Sequence, residues 1–224
     1  MSAKGEGLLR LEAVMNQLRS PGGCPWDAEQ THESLVQYLI EETFETIDAI
    51  DSGNRDELLE ELGDLLLQVF FHARIAEEHV TQPFTIDDVA NAICDKLIRR
   101  HPHVFPDAEG NVASAADAAV VEATWQQLKN AEKSRSSVTD GVPVSLPALT
   151  QASKLIQRLT NASLAAPLSP EAQKLAAEIV NSELDTAELM IALVNVMREQ
   201  GQDPELTLRE GVRDFRSRIV ESER

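Results

Sequence analysis

The sequence predicts an all-α protein, a bundle of amphipathic helices, on three observations. Apolar residues recur at three- and four-residue intervals over long stretches, the helix formers Ala, Leu, Glu and Gln are prominent throughout, and strand-like alternation of any length is missing. The 224 residues are 42% hydrophobic but only 4% aromatic, so a sizeable core is available and it is mostly aliphatic. With 38 acidic and 20 basic residues, the formal charge of −18 repels phosphate backbones and argues against sequence-independent nucleic-acid binding. Apolar runs are too short or too charged to span a bilayer, and the N-terminus lacks a signal-peptide pattern; the expectation is a soluble, cytoplasmic protein with no membrane partner. Cys24 and Cys94, outside any CxxC, fit a reducing compartment.

Taken in order, the first informative segment is Gly22-Gly23-Cys24-Pro25-Trp26-Asp27-x-x-Gln30-Thr31, a rigid loop. Trp26 can stack on a base or pack over the open end of a bundle, and Asp27 reads as a helix cap. From Glu33 to Ile50 the positions Val36, Ile40, Phe44 and Ile47 form the apolar stripe of a helix, with Glu41, Glu42 and Glu45 on a neighbouring face. Ser52-Gly53-Asn54 is a turn signal. A second helix runs from Asp56 to about His79 with Leu58, Leu62, Leu65 and Val69 at the same spacing. Beyond Asp64 it becomes apolar nearly all round, so it must be covered on more than one side, within the bundle or by another subunit. A third helix opens at Thr85, where Thr85-x-x-Asp88 is a capping box with Asp for Glu, and stops before Pro102; its apolar face is Ile86, Val89, Ile93 and Leu97. A further helix, Ala115 to Lys133, leads into the polar run Ser134 to Gly141, which composition reads as a mobile linker.

The chemistry lies in the carboxylates. Residues three or four apart share a helix face, so Glu41, Glu42 and Glu45 project together, as do Glu61 and Asp64. Each like-charge pair costs roughly 0.2–0.5 kcal/mol, and an antiparallel hairpin brings the two clusters face to face. A solvated acidic surface is the plain alternative in so acidic a chain; a divalent cation is the other. All the donors are oxygens, which favours a hard ion such as Mg²⁺, with Mn²⁺ as a substitute. At the end of the third helix, Lys96, Arg99 and Arg100 reverse the local sign, followed by His101-Pro102-His103. Basic residues suit the last turn of any helix. Beside a metal site they also suit an anionic phosphate chain, Arg as a planar fork and Lys as a point charge.

Gly-Cys-Pro-Trp-Asp at 23–27, Glu-Glu-Thr-x-Glu at 41–45, Glu-Leu-Gly-Asp-Leu-Leu at 61–66 and Lys-Leu-x-Arg-Arg-His-Pro-His-Val-Phe at 96–105 resemble, in order, the motifs of the MazG nucleoside triphosphate pyrophosphohydrolases. The likeness continues through Trp125-x-x-x-Lys129 and Ser145 to Leu149. It implies an all-α, usually dimeric enzyme that hydrolyses a nucleoside triphosphate to the monophosphate and pyrophosphate with Mg²⁺. It implies Glu42, Glu45, Glu61 and Asp64 as metal ligands and Glu41, beside Glu42, as the group that holds or deprotonates the attacking water. Lys96, Arg99 or Arg100, and Trp26 would contact phosphates and base. Clearing of unwanted or non-standard triphosphates is the role such a resemblance suggests.

The expected division is a catalytic helical domain at 1–108, a connecting helix and polar linker at 109–145, and a degenerate second repeat at 146–224. In the last, Glu183-Leu-Asp185-Thr-Ala-Glu188 stands where Glu-x-x-Asp is expected and an upstream Glu-Glu-x-x-Glu is missing, so activity is assigned to the first repeat. Two other classes compete with this reading. A di-iron bundle needs Glu-x-x-His on each of two helices, and Glu29-x-x-His32 is the single instance. A non-catalytic helical module that binds nucleotide or a partner protein retains the same ligands without turnover.

Overall fold

The computed structural model describes residues 5–106 and 136–224 and, between them, positions 117, 120, 121, 124, 125, 128 and 132. Most of the helix expected at Ala115 to Lys133, Lys129 included, lies outside the described residues. Among those described, every regular element is an α-helix, and none is long and apolar enough to cross a membrane. The chain divides into two compact units, Met1–Gln126 and Gln127–Arg224.

The first unit begins with α1 (Glu6–Arg19) and the short α2 (Pro25–Glu29). Between them the chain doubles back tightly: Gly23 donates to the Ser20 carbonyl and Cys24 to that of Leu18. A Cβ on Gly23 would collide with the carbonyl oxygens of Gln17 and Leu18. Pro25 opens α2, and Asp27 sits inside its first turn instead of capping it; Cys24 holds the cap position.

Helices α3 (Val36–Ser52) and α4 (Arg55–Ala76) form the expected hairpin. It turns on Gly53, left-handed at φ 69 and so suited to glycine. Asn54 caps α4, its Oδ1 accepting from the backbone N–H groups of Asp56 and Glu57. The first acidic helix starts later than its periodicity suggested. Thr31 and Ser34 exchange side-chain and backbone hydrogen bonds, with the Ser34 hydroxyl accepting from Thr31 N–H and the Thr31 hydroxyl from Ser34 N–H. That local knot competes with the first helical turn. Helix α5 (Ile86–Arg100) opens with the capping box read from the sequence, Thr85 with Asp88.

The core of this unit is Met15, Leu35, Phe70 and Phe71, with Leu11, Leu18, Tyr38, Leu67, Ile75 and Ile86 against it. The apolar stripe of α3, expected to face a core, does not enter this one: Val36, Ile40, Phe44 and Ile47 are 44–59% exposed. What α3 buries is the smaller pair Thr46 and Ala49. Leu59, Leu62, Leu66 and Val69 on α4 are exposed as well, so an apolar surface runs over both helices of the hairpin.

The second unit holds α6 (Ala148–Asn161), α7 (Pro170–Val180), α8 (Thr186–Glu199) and α9 (Pro204–Ser222). Its core is Val142, Ala148, Leu155, Leu159, Val212, Phe215 and Ile219. Residues 136–141, which composition read as part of a mobile linker, are strapped to it together with Val142. Val138 N–H donates to the Glu223 carboxylate, and Arg158 donates to the carbonyls of Val138 and Asp140. Arg216 donates to those of Val142 and Thr139. Two arginines thus replace the solvent that a polar strand would otherwise need.

Candidate active site

Helix geometry places Glu42 and Glu45 on one face of α3 and Glu61 and Asp64 on one face of α4. The hairpin then brings them together: Glu42, Glu45 and Glu61 each offer a carboxylate oxygen lying within 4.8 Å of the others. Asp64 is the fourth member, close enough to raise the proton affinity of both Glu42 and Glu61. Partial burial, then Asp64, Glu45 and Glu61, push the Glu42 carboxyl above its ordinary 4.5. Desolvation, then Glu45, Asp64, Glu60 and Glu57, do the same to Glu61. Carboxylates converging in this way add like-charge repulsion to the cost of desolvation, and a multivalent cation relieves it. A cluster of oxygens only, with no thiol or imidazole among them, matches a hard divalent ion. Glu41 is exposed beside this group and Glu42 is half-buried within it.

The other predicted site residues divide into exposed and occupied. Trp26 is 49% exposed, its ring edge-on to Tyr38 at 5.8 Å and tilted over Phe71 at 6.5 Å. The ring is thus anchored against two aromatic neighbours while about half of the residue stays exposed. Lys96 and Arg99 are exposed at the end of α5, whereas Arg100 is only 5% exposed and lies over the Trp125 ring at 5.1 Å. His101 also meets Trp125, with ring centroids 5.0 Å apart.

Sequence reasoning missed the residues that hold Trp26 in place. Arg19, its side chain 6% exposed, makes a two-pronged ion pair with Glu78 at 2.9 Å and donates to the Asp27 carbonyl at 2.5 Å. The Gln30 amide donates to the Trp26 carbonyl at 2.9 Å, and its oxygen accepts from the Ser34 hydroxyl at 2.8 Å. An Arg closing the last turn of α1 looks like ordinary helix capping in a sequence, and its partner Glu78 is far along the chain.

In the second unit, Asp185 of the worn Glu-x-x-Asp element is a helix cap: its Oδ1 accepts from Ala187 and Glu188 N–H at 2.8 and 3.3 Å. A carboxylate so engaged is already satisfied by the helix it starts.

Fold and site together define an all-α protein with a cluster of converging carboxylates set between the two helices of a hairpin. A family model described as the MazG nucleotide pyrophosphohydrolase domain matches residues 30–105. The nucleoside triphosphate pyrophosphohydrolase of Mycobacterium tuberculosis is 44% identical over 223 residues, 100% of this chain and 60% of that protein. The Escherichia coli K12 protein of the same name is 39% identical, covering 96% of this chain and 86% of its own. The Thermotoga maritima nucleoside triphosphate pyrophosphohydrolase/pyrophosphatase MazG is 38% identical over 98% and 88% respectively. The chain belongs to the MazG family. It spans about three fifths of the mycobacterial protein's length.

Proposed function

We propose that this protein is a nucleoside triphosphate pyrophosphohydrolase that converts a ribo- or deoxyribonucleoside triphosphate and water to the monophosphate and pyrophosphate, using Mg²⁺ or, in its place, Mn²⁺. The observation that carries the reading is the convergence of Glu42, Glu45 and Glu61 from two helices within 4.8 Å, in a chain whose relatives bear that activity in their names. Glu42, Glu45, Glu61 and Asp64 would hold the ion. A divalent ion so held supplies neutralisation of charge on the phosphate oxygens and activation of water.

The rest is assigned to the chain's own groups. Glu41 orients the attacking water and takes its proton as the water oxygen bonds to the α-phosphorus, while the bond to the β-phosphate oxygen breaks and pyrophosphate leaves. Lys96 and Arg99, exposed beyond the acidic hairpin, are assigned to the phosphates. Arg100 joins them only by leaving Trp125, so its first role is to brace that end of α5. The half-exposed Trp26 is assigned to the base; stacking of this kind tolerates many bases. Activity is assigned to the first unit, with residues 146–224 as a degenerate repeat. The uncovered apolar surface of α3 and α4 supports a homodimer, and clearing of unwanted or non-standard nucleotides in the cytoplasm is the role we infer.

A hydrolysis assay across ribo- and deoxyribonucleoside triphosphates, resolving pyrophosphate from orthophosphate, tests the reading with Glu42→Gln as control. Pyrophosphate and monophosphate, released with Mg²⁺ and lost in the variant, is the expected result. Release of orthophosphate, or nucleotide binding without turnover, would overturn it.

A further inference from the structure

Outside the acidic cluster, a pair of histidines lies where the segment carrying Trp26 meets α4. The Nδ1 atoms of His32 and His72 are 2.7 Å apart, their ring planes differ by 5° and the ring centroids are 5.1 Å apart. A 2.7 Å contact is too short for rings lying face to face. The centroid distance exceeds it by about two ring radii, so the rings meet edge to edge, one Nδ1–H donating to the other Nδ1. Only one proton fits between them.

Burial tells which ring gives it. The Nε2 of His72 is buried and has no hydrogen-bond partner, whereas His32 is exposed. A buried N–H without an acceptor is costlier than a bare ring lone pair. His72 therefore carries its proton on Nδ1 and donates to His32, whose Nε2–H faces solvent.

The bond matters because of what His32 is tied to. It sits at the centre of the Gln30–Ser34 knot, which grips the Trp26 carbonyl through Gln30. From α4, His72 fastens the middle of that knot. Glu33, in the knot, feels the pair: it is held low first by a hydrogen bond from its own backbone, then by Thr31 and in small part by His32. On His72 itself the acting influences are burial first and the His32 ring second.

We propose that His72 is a positioning residue: through the proton it shares with His32 it holds the α2–α3 connection, and with it Trp26, in the geometry that receives the nucleotide base. The proposal rests on the reading of Trp26 as the base contact.

The test compares wild type with His72→Asn, which keeps an N–H donor at the same reach but does not titrate, and His72→Phe, which keeps bulk and removes the donor. Two readouts are taken near neutral pH: amide-exchange protection of residues 30–35, and KM and kcat for a nucleoside triphosphate with Mg²⁺. In His72→Phe, protection falls and KM rises about three- to tenfold, the worth of one neutral hydrogen bond, with kcat within about twofold. His72→Asn keeps the donor and with it the protection and KM of wild type. His32→Ala removes the same bond from the exposed side and gives the same result should His72→Phe not fold. Equal protection in wild type and His72→Phe would overturn the proposal, as would loss of kcat with KM unchanged. A wild type without turnover would instead remove the pyrophosphohydrolase reading, and the exchange data would still decide whether the histidines hold the connection.

Discussion

Glu42 stands where burial and charge crowding meet, with Asp64, Glu45 and Glu61 all raising its proton affinity. Removing its charge should therefore have opposite effects on activity and on metal-free stability. Glu42→Gln is expected to lower kcat/KM at least about 100-fold, as loss of a group acting on transition-state charge does, while the metal-free protein unfolds at the same or a higher temperature than wild type. Steady-state kinetics and thermal unfolding in chelator check both halves. The pH dependence has a defined sign. Because Glu42 and Glu61 bind protons more tightly when folded than the ordinary 4.5, the folded state holds more protons than the unfolded one just above that pH. Their contribution to stability therefore falls as pH rises through this window. His72, held below 6.5 by burial and His32, acts in the opposite direction there, so the cleanest measurement is the difference between wild type and Glu42→Gln. That difference should move against wild type as pH rises from about 4.5 in chelator, and saturating Mg²⁺ should reverse it.

Individual helices owe their ends to short signals with separable consequences. Asn54 caps α4 at the turn that sets Glu61 and Asp64 opposite α3. Asn54→Ala is expected to cost about 1 kcal/mol of stability and to weaken Mg²⁺ binding, read by chemical denaturation and by metal titration of the folded variant. Gly23 has a different reason to be glycine. Its φ is ordinary, but any side chain would strike the carbonyls of Gln17 and Leu18. Gly23→Ala should displace α2 and with it Trp26, raising KM more than it lowers kcat in nucleotide kinetics. The turn at Ser52-Gly53-Asn54 was legible in the sequence, as were Thr85 with Asp88 and the break before Pro102, because each acts within one helical turn. The late start of α3 was not: the apolar spacing from Glu33 is helical, but the hydrogen bonds between Thr31 and Ser34 compete with it locally.

At the scale of the whole molecule, the hairpin presents two surfaces. One carries the carboxylates. The other carries Val36, Ile40, Phe44 and Ile47 of α3 with Leu62 and Val69 of α4, all more than a third exposed. Burying one such side chain contributes about 1.5–3 kcal/mol, so a row of this length favours association strongly. Phe44→Asp combined with Ile40→Asp is expected to halve the mass measured by light scattering while the helical circular dichroism of the protein persists. An unchanged mass would rule out a homodimer built on this surface.

The sequence by itself determined the features that arise within one helix at a time: the all-α class, the order of the helices, and the carboxylates at three-residue spacing that had to share faces. Helix geometry is local, and so is its signature. Only the tertiary structure decided which faces are covered. It left the α3 stripe uncovered, laid Arg100 over Trp125, strapped residues 136–142 to the second unit's core, and paired His32 with His72. Each of these outcomes depends on contacts between residues distant in the chain, and periodicity says that a helix has an apolar face without saying what will lie against it.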